Sequence, residues 1–335
     1  MNSFGNHIRF TIFGQSHAPC IGAVIDGLPA GITIDEATLA KFMRRRSPSS
    51  SAASTGRREE DNVEFIAGLN DKGETCGAPL TLIIPNSDAR PSDYDALRRH
   101  PRPGHADYTA YVKYDGHNDI RGGGQFSGRL TAALCAAGGI CIQLLEKQNI
   151  RIDSYIRSIG GIESERKTRQ PTADQLAVLN VLKTKGDSTG GIIECEITGV
   201  PAGIGEPMFD GLENKISQAV FAIPGIKGIE FGAGFACASM FGSESNDPFT
   251  LQPDGSLKTE KNDHGGILGG ISSGMPIVFR AAVKPVSSIA MLQHTDSLDG
   301  KPILSVSGRH DVCIVPRALP CVEAAAALAL ADFLL

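Results

Sequence analysis

Three histidines and a run of three glycines fall between His100 and Arg129, in HPRPGHADYTAYVKYDGHNDIRGGGQFSGR. Glycines lack a Cβ, so their backbone N–H groups can close around an anion. A helix beginning straight after them would turn its positive end to the same place. Arg121 and Arg129 bracket the glycines, and guanidinium groups offer forked donors suited to carboxylate or phosphate. His105 stands in a Pro-Gly-His turn, where an imidazole held outside regular structure can exchange protons near neutral pH. The combination reads as a site for an anionic substrate with an acid–base group beside it. The competing reading is a tight connection before a helix. Two familiar phosphate motifs are excluded. Gly123 to Gly128 has P-loop length, but Arg129-Leu130 stands where Lys-Ser/Thr is required, and the GxGxxG dinucleotide spacing is missing here.

The elements that must position these groups follow from periodicity. Residues 8–13 alternate as a strand and 21–27 form a second, so the intervening GQSHAPC places His17 in a polar loop. Asp35 is expected to cap a helix over 37–46 that ends in Arg44, Arg45 and Arg46. Cations there suit the helix dipole, and solvated helix-end charge is the competing reading for Arg44 and Arg46. Strands are predicted over 63–68 and 78–85. A long polar connection without periodicity follows, and then an alanine-rich helix over 130–148 in which Gly138-Gly139 permits close packing.

In the second half, strands are predicted over 150–162 and 190–205, with helices over 172–185 and 211–222. A Gly-rich β segment over 222–242 comes next, then a polar excursion over 246–263. Short apolar pieces lead to the polar turn Lys284-Pro285-Val286-Ser287-Ser288, and a helix over 323–335 closes the chain. Each half runs as a strand pair, a helix, a long Gly/Pro-rich excursion and another helix. The pattern predicts one α+β unit over residues 1–335 with a hint of internal pseudo-symmetry.

Composition narrows the function classes. At 41% hydrophobic and 21% charged, the 335 residues can bury an ordinary globular core. A formal net charge of −5 argues against a general nucleic-acid binder. The eight cysteines form no CxxC pair, so neither a metal site nor a disulfide framework is expected, and several read as small core residues. MNSFGNHIRFTIFG holds no apolar stretch of signal-peptide length and nowhere do 18 apolar residues run without interruption, so a cytoplasmic, reduced location is expected.

These pieces together resemble the chorismate synthase family over nearly the whole chain. GQSHAPCIGAVIDGLPAG is similar to the family signature GESHG…DGxPxG, and RPGHADYT stands as the family has it. RGGGQFSGR resembles RGGGRSSAR, and GRHDVC with Glu323 resembles GRHDPC…E. RRRSP, RREED, GGILGGISSG and KPVSSI fall between them in the family's order. The resemblance implies a β-α-β sandwich with internal pseudo-symmetry, a homotetramer, and a lyase that uses reduced FMN. The implied reaction removes phosphate and a C6 hydrogen from 5-enolpyruvylshikimate 3-phosphate to give chorismate, by 1,4-anti elimination without net redox change. Some relatives also reduce flavin with NADPH.

Carried over position by position, the resemblance implies that His17 protonates the leaving phosphate and that His105 protonates or supports reduced flavin. Asp311 would take up the proton released from C6, with Ser16 and Ser127 as relays. Arg45, Arg129 and Arg309 would bind substrate anions, Arg309 touching FMN as well. The FMN-contacting positions match Gln125, Phe126, Ser127, Pro224, Gly225, Gly269, Lys284, Pro285, Val286, Ser287 and Ser288. No metal is implied. His7, His100, His117, His264 and His294 read as surface or core residues, and His310 as positioning its neighbours.

The chain departs from the family pattern at Gln15 for Glu, Ala18 for Gly, Gln125 for Arg, Phe126 for Ser, Gly128 for Ala and Val312 for Pro, and the family usually continues past Leu335 with a polar tail. Losing one charge-assisted contact at position 125 costs roughly 1.5–3 kcal/mol, about tenfold to a hundredfold in flavin affinity. Two other functions remain open at this point. One is a lyase acting on another phosphorylated cyclic diacid, and the other is a flavin-binding protein without catalysis.

Overall fold

Alternation along the central strands settles which face of each sheet is buried. In Leu80–Pro85, Leu80, Leu82 and Ile84 are buried while Thr81 and Ile83 are half-buried, and in Ile277–Val283 Ile277, Phe279, Ala281 and Val283 point inward. This is the pattern of antiparallel sheets with one face against a core. The computed structural model describes residues 2–47, 61–86, 100–298, 300, 302–303 and 311–335.

The first half contains β1 (Ser3–Phe4), β2 (Arg9–Gly14), β3 (Cys20–Asp26), α1 (Glu36–Arg46), β4 (Glu64–Ala67), β5 (Leu80–Pro85), α2 (Asp107–Lys113) and α3 (Thr131–Glu146). Its antiparallel sheet runs in the order β1-β2-β3-β5-β4. The second half contains β6 (Arg151–Ile159), β7 (Ile162–Glu163), α4 (Ala173–Lys185), β8 (Gly191–Thr198), α5 (Leu212–Phe221) and β9 (Ile226–Phe231). An insertion follows with α6 (Gly242–Ser245), the hairpin of β10 (Phe249–Leu251) with β11 (Leu257–Thr259), and the hairpin of β12 (Ile267–Leu268) with β13 (Ile271–Ser272). Then come β14 (Ile277–Val283), the paired β15 (Thr295–Asp296) and β16 (Pro302–Ile303), and α7 (Val315–Leu334). The second antiparallel sheet runs β7-β6-β8-β14-β9.

Set side by side, β2, β3, β5 and β4 occupy the same relative places as β6, β8, β14 and β9. Helix α1 corresponds to α5 and α3 to α7. The rhythm read from the sequence is therefore present in the topology, and the α+β expectation holds. Helices α3 and α7 pack on each other between the two sheets, α3 toward β3 and α7 toward β6 and β8. Gly138 makes this possible, and Gly139 does the same for α1 against α3. A Cβ on Gly138 would lie 2.5 Å from Ala324 Cα, and one on Gly139 would lie 2.8 Å from Leu39 Cδ1 in α1. Helix α3 with its flank (Gly128–Glu146) is long and apolar enough to cross a membrane, but it is mostly buried within the protein, as a core helix is. Cys135, Cys141, Cys195, Cys313 and Cys321 are buried free thiols, in keeping with their reading as core residues.

Several predicted boundaries shift for physical reasons. The closing helix begins at Val315, not at residue 323, because Pro316 sits at its first turn, where the missing N–H would have had no partner anyway. The helix after the glycines does not start on them. Gly122, Gly123 and Gly124 take φ of 59°, 85° and 55° inside a distorted 3₁₀ turn (Arg121–Phe126), a second 3₁₀ turn (Gly128–Leu130) follows, and the α-helix opens only at Thr131. The expected dipole contribution at the glycines is thus replaced by turn geometry. The stretch 234–239 is a 3₁₀ turn rather than β, the polar excursion carries the β10–β11 hairpin, and the long connection holds α2. Asp35 does cap α1, its Oδ1 accepting from Thr38 N–H at 2.9 Å.

The contact at Gly138 makes a prediction. Gly138→Ala pushes a methyl into the Ala324 backbone, and we expect a loss of about 1–3 kcal/mol. Urea denaturation should show a lower midpoint with unchanged slope; an unchanged midpoint contradicts the packing described.

Candidate active site

The GQSH loop joining β2 to β3 turns back on the glycine run. Ser16 N–H donates to Gly124 O at 3.2 Å. A Cβ on Gly122 would meet His17 Cε1 at 2.4 Å, His17 Nδ1 at 2.5 Å and Ser16 Oγ at 2.5 Å. Position 122 must therefore lack a side chain for the buried His17 to occupy its place. Ser16 Oγ is buried with no hydrogen-bond partner among the described residues. One residue on, the buried Gly123 is less crowded. The nearest atoms to a Cβ there are Arg102 Nη2, His105 Cε1 and Ser127 Cβ, each at 3.9 Å. His17 and His105 thus lie against neighbouring glycines of one run, with Ser16 and Ser127 beside them.

The RPGH turn that carries His105 is held from both sides. On one side, Arg102 donates to Asp107 through Nε at 2.7 Å and Nη2 at 2.9 Å. Burial would raise Asp107, but the Arg102 pair outweighs it and holds the carboxyl below its usual range. On the other side, Gly104 O accepts from Lys284 Nζ at 2.7 Å and from Ser287 Oγ at 2.8 Å. Lys284 N–H donates in turn to Gly225 O at 2.9 Å. The Pro224-Gly225 turn, the KPVSS turn and the RPGH turn are therefore joined. Burial pushes the Lys284 ammonium down, and nearby Lys227 adds to this.

The arginines divide their work. Arg45 forms a bidentate pair with buried Glu323, at 2.7 Å on each side, and the same carboxylate accepts from Ser154 N–H and Oγ–H. Arg44 is exposed, in keeping with a solvated charge, whereas Arg46 is only 5% exposed, so the helix-end reading of Arg46 is corrected. Arg46 Nη2 donates to Asp61 Oδ2 at 2.5 Å, and Arg129 Nη1 pairs with Asp61 Oδ1. Arg129 Nε also reaches Asn86 Oδ1 at 2.9 Å, while Asn86 Nδ2 donates to Gln15 O and Ala18 O. A buried Arg–Asp–Arg clamp and one asparagine thus tie Arg129 to the loop of His17. Burial alone would raise Asp61, but Arg46 and then Arg129 hold its carboxyl below the usual carboxylate range.

Asp311 accepts from Arg317 Nη1 at 2.9 Å, and Arg317 Nε donates to Arg46 O at 3.0 Å, so the connection before α7 is fastened to the same clamp. Gln125 Nε2 donates to Tyr114 Oη at 3.1 Å, and the Phe126 ring lies 6.4 Å from that of Tyr114. Gly269 lies at the tight turn of β12–β13, next to Gly270, whose carbonyl accepts from Leu212 N–H at the start of α5; its link to this cluster rests on the family resemblance. Arg309 and His310 lie outside the described residues. Asn86 and Arg317 escaped the sequence reading, since no local spacing marks a lone polar residue whose partners are distant in the chain, and Asp61 entered it only as the last residue of RREED, with no role assigned.

The residues present fit a flavin mononucleotide. The buried Ser16 Oγ, which has no partner among the described residues, offers a hydroxyl, and the half-exposed Phe126 offers an aromatic face. Lys284 uses two of its three ammonium donors and keeps one for an anion. Gln125 offers an amide where the family pattern has a cation.

The Arg46–Asp61–Arg129 clamp should contribute to stability in a pH-dependent way. Asp61→Asn leaves two guanidinium groups without their shared carboxylate, and we expect a loss of about 3–5 kcal/mol at pH 7. Because the folded carboxyl titrates below its unfolded value, its contribution is fully present above roughly pH 4 and disappears as pH falls through the depressed folded value. Urea titrations from pH 7 to pH 3 should show wild type losing, at the acid end, part of its advantage over the variant. Equal stability at pH 7 contradicts this.

The chorismate synthase family model matches residues 8–335. Curated relatives named chorismate synthase include one from Korarchaeum cryptofilum, 43% identical over 99% of this chain and 97% of the relative. Another, from Lancefieldella parvula, is 45% identical over 99% of this chain and 96% of the relative. A crystal structure of chorismate synthase superposes with a TM-score of 0.76 at 27% identity, covering 98% of this chain and 92% of that one.

Proposed function

We infer the reaction from one premise: this chain belongs to the chorismate synthase family. It is an enzyme, a lyase of that family. The reaction we propose converts 5-enolpyruvylshikimate 3-phosphate to chorismate and inorganic phosphate by 1,4-anti elimination. The C–O bond to phosphate breaks and the C6–H bond breaks. The electron pair of the C–H bond enters the ring's new double-bond system, so no net oxidation occurs.

The observation that carries this reading is the setting of His17 and His105 against Gly122 and Gly123, with two serine hydroxyls beside them. In the proposal, His17 gives a proton to the leaving phosphate, a task suited to an imidazole near neutral pH. Reduced FMN, when bound, supplies the electron chemistry that side chains lack. His105 supports its charge, and Gln125, Phe126, Ser127, Pro224, Gly225, Gly269 and the residues from Lys284 to Ser288 hold it, with Arg309. The carboxylate of Asp311 takes up the proton that leaves C6, with Ser16 and Ser127 as relays. Arg45, Arg129 and Arg309 face the substrate's anions in this reading. For Arg45 and Arg129 the pairs with Glu323 and Asp61 would fix the direction of each fork.

The same reading treats residues 1–335 as one catalytic unit in a cytoplasmic protein, with NADPH as one source of reduced flavin and no nucleic-acid partner. It further assigns a homotetramer. Phe209, Phe235 and Phe241 are 86%, 84% and 76% exposed, which is costly for a chain that remains alone.

Anaerobic incubation of the protein with FMN, dithionite and 5-enolpyruvylshikimate 3-phosphate should release chorismate and phosphate in equal amounts, and neither without reduced flavin. Asp311→Ala should reduce turnover by on the order of 10²–10⁴-fold while FMN and substrate still bind. Substrate binding without release by wild type refutes the reaction, and full turnover by Asp311→Ala refutes the role of Asp311.

A further inference from the structure

No motif marks Arg317, which lies in the first turn of α7, six residues after Asp311. Its guanidinium bridges two acceptors that belong to different halves of the fold. Nη1 holds Asp311 Oδ2 at 2.9 Å, and Nε holds the carbonyl of Arg46, the last residue of α1, at 3.0 Å. The side chains of Arg317 and Asp311 are 18% and 13% exposed, so the pair is largely shielded from water. Burial pushes Arg317 down and the negative charge of Asp311 opposes it. A cation placed at such cost is effective where a rigid fork fixes two acceptors in one geometry, which a flexible ammonium does poorly. Among the described residues, the charged and titratable groups around the pair include Arg46 at the end of α1, Asp61 before β4, Cys321 on α7 and Cys313 beside Asp311. Arg46 in turn holds Asp61, and Asp61 holds Arg129.

We propose that Arg317 is the positioning residue for Asp311, fixing its carboxylate against the Arg46–Asp61–Arg129 clamp of the other half. Arg317 then links the proton-accepting group to the anion-binding side of the site. This rests on the reading of Asp311 given above. A mere brace for the start of α7 would place no such demand on the identity of its partner.

The test compares Arg317→Gln, Arg317→Lys, Asp311→Asn and the double variant Asp311→Asn/Arg317→Gln in the full chain. Arg317→Gln should lower kcat by on the order of tenfold to a hundredfold with KM and FMN Kd nearly unchanged. Arg317→Lys should recover part of that loss, and adding Arg317→Gln to Asp311→Asn should cost no further rate. In the protein without ligands, melting temperatures of the same variants should be non-additive, which reports the pair independently of turnover. A wild type that makes no chorismate refutes the reaction, while additive melting temperatures refute the pairing in either case. Wild-type kcat in Arg317→Gln, or an additive loss in the double variant, overturns the proposal. Where Arg317→Gln does not fold, Arg317→Lys decides: a lowered kcat at near-wild-type melting temperature supports the proposal, and full kcat overturns it.

Discussion

The rest of the site depends on one close approach, that of the His17 loop to Gly122. A methyl group at position 122 would fall within 2.5 Å of both His17 and Ser16, and the backbone there has φ +59°, a conformation that side chains rarely adopt. Only glycine lets the two segments close. The loop is then held by Ser16 N–H on Gly124 O, and Asn86 fastens its carbonyls to Arg129. Arg129 is fixed by Asp61 and Asp61 by Arg46, so a buried charge network extends the contact into the helical layer.

Pseudo-symmetry explains why segments so far apart in sequence meet here. The β5–α3 connection carries the RPGH turn and the glycines, and the β14–α7 connection carries the KPVSS turn and Asp311. These connections occupy equivalent places in the two halves, and α3 packs on α7. The close helix packing allowed by Gly138 therefore also brings together the two loops, which touch where Lys284 and Ser287 reach Gly104 O. The same closure joins the chain's beginning to its last helix, where Asp332 accepts from the N–H groups of Asn6, His7 and Ile8.

Much of this was legible in the sequence, for identifiable reasons. Residues 8–13 announce their strand by alternation, and α1 is announced by Asp35. The residues around His17, His105 and the glycines carry distinctive spacings. What the sequence hid were groups whose meaning lies only in contact. Asp61 ends the RREED motif, whose residues alone do not show the buried clamp it joins, Asn86 follows a strand as any turn residue does, and Arg317 sits between two prolines that obscure the start of α7. Arg46 is one of three adjacent arginines, and only the fold separates the exposed Arg44 from the buried Arg46. The glycines misled in one respect, since their left-handed dihedrals place them in a 3₁₀ turn and no α-helix N-terminus lies on them, although the helix itself opens at Thr131, one residue from its expected start.

The most direct measurement is steady-state turnover of 5-enolpyruvylshikimate 3-phosphate by Gly122→Ala, alongside its FMN affinity and its melting temperature. The account expects kcat to fall by on the order of a hundredfold, because displacing a catalytic group by about 1 Å has that effect. FMN affinity should be retained, with a stability loss of about 1–2 kcal/mol from the left-handed alanine. A Gly122→Ala enzyme with wild-type kcat would show that the setting of His17 against the glycine run does not govern the chemistry.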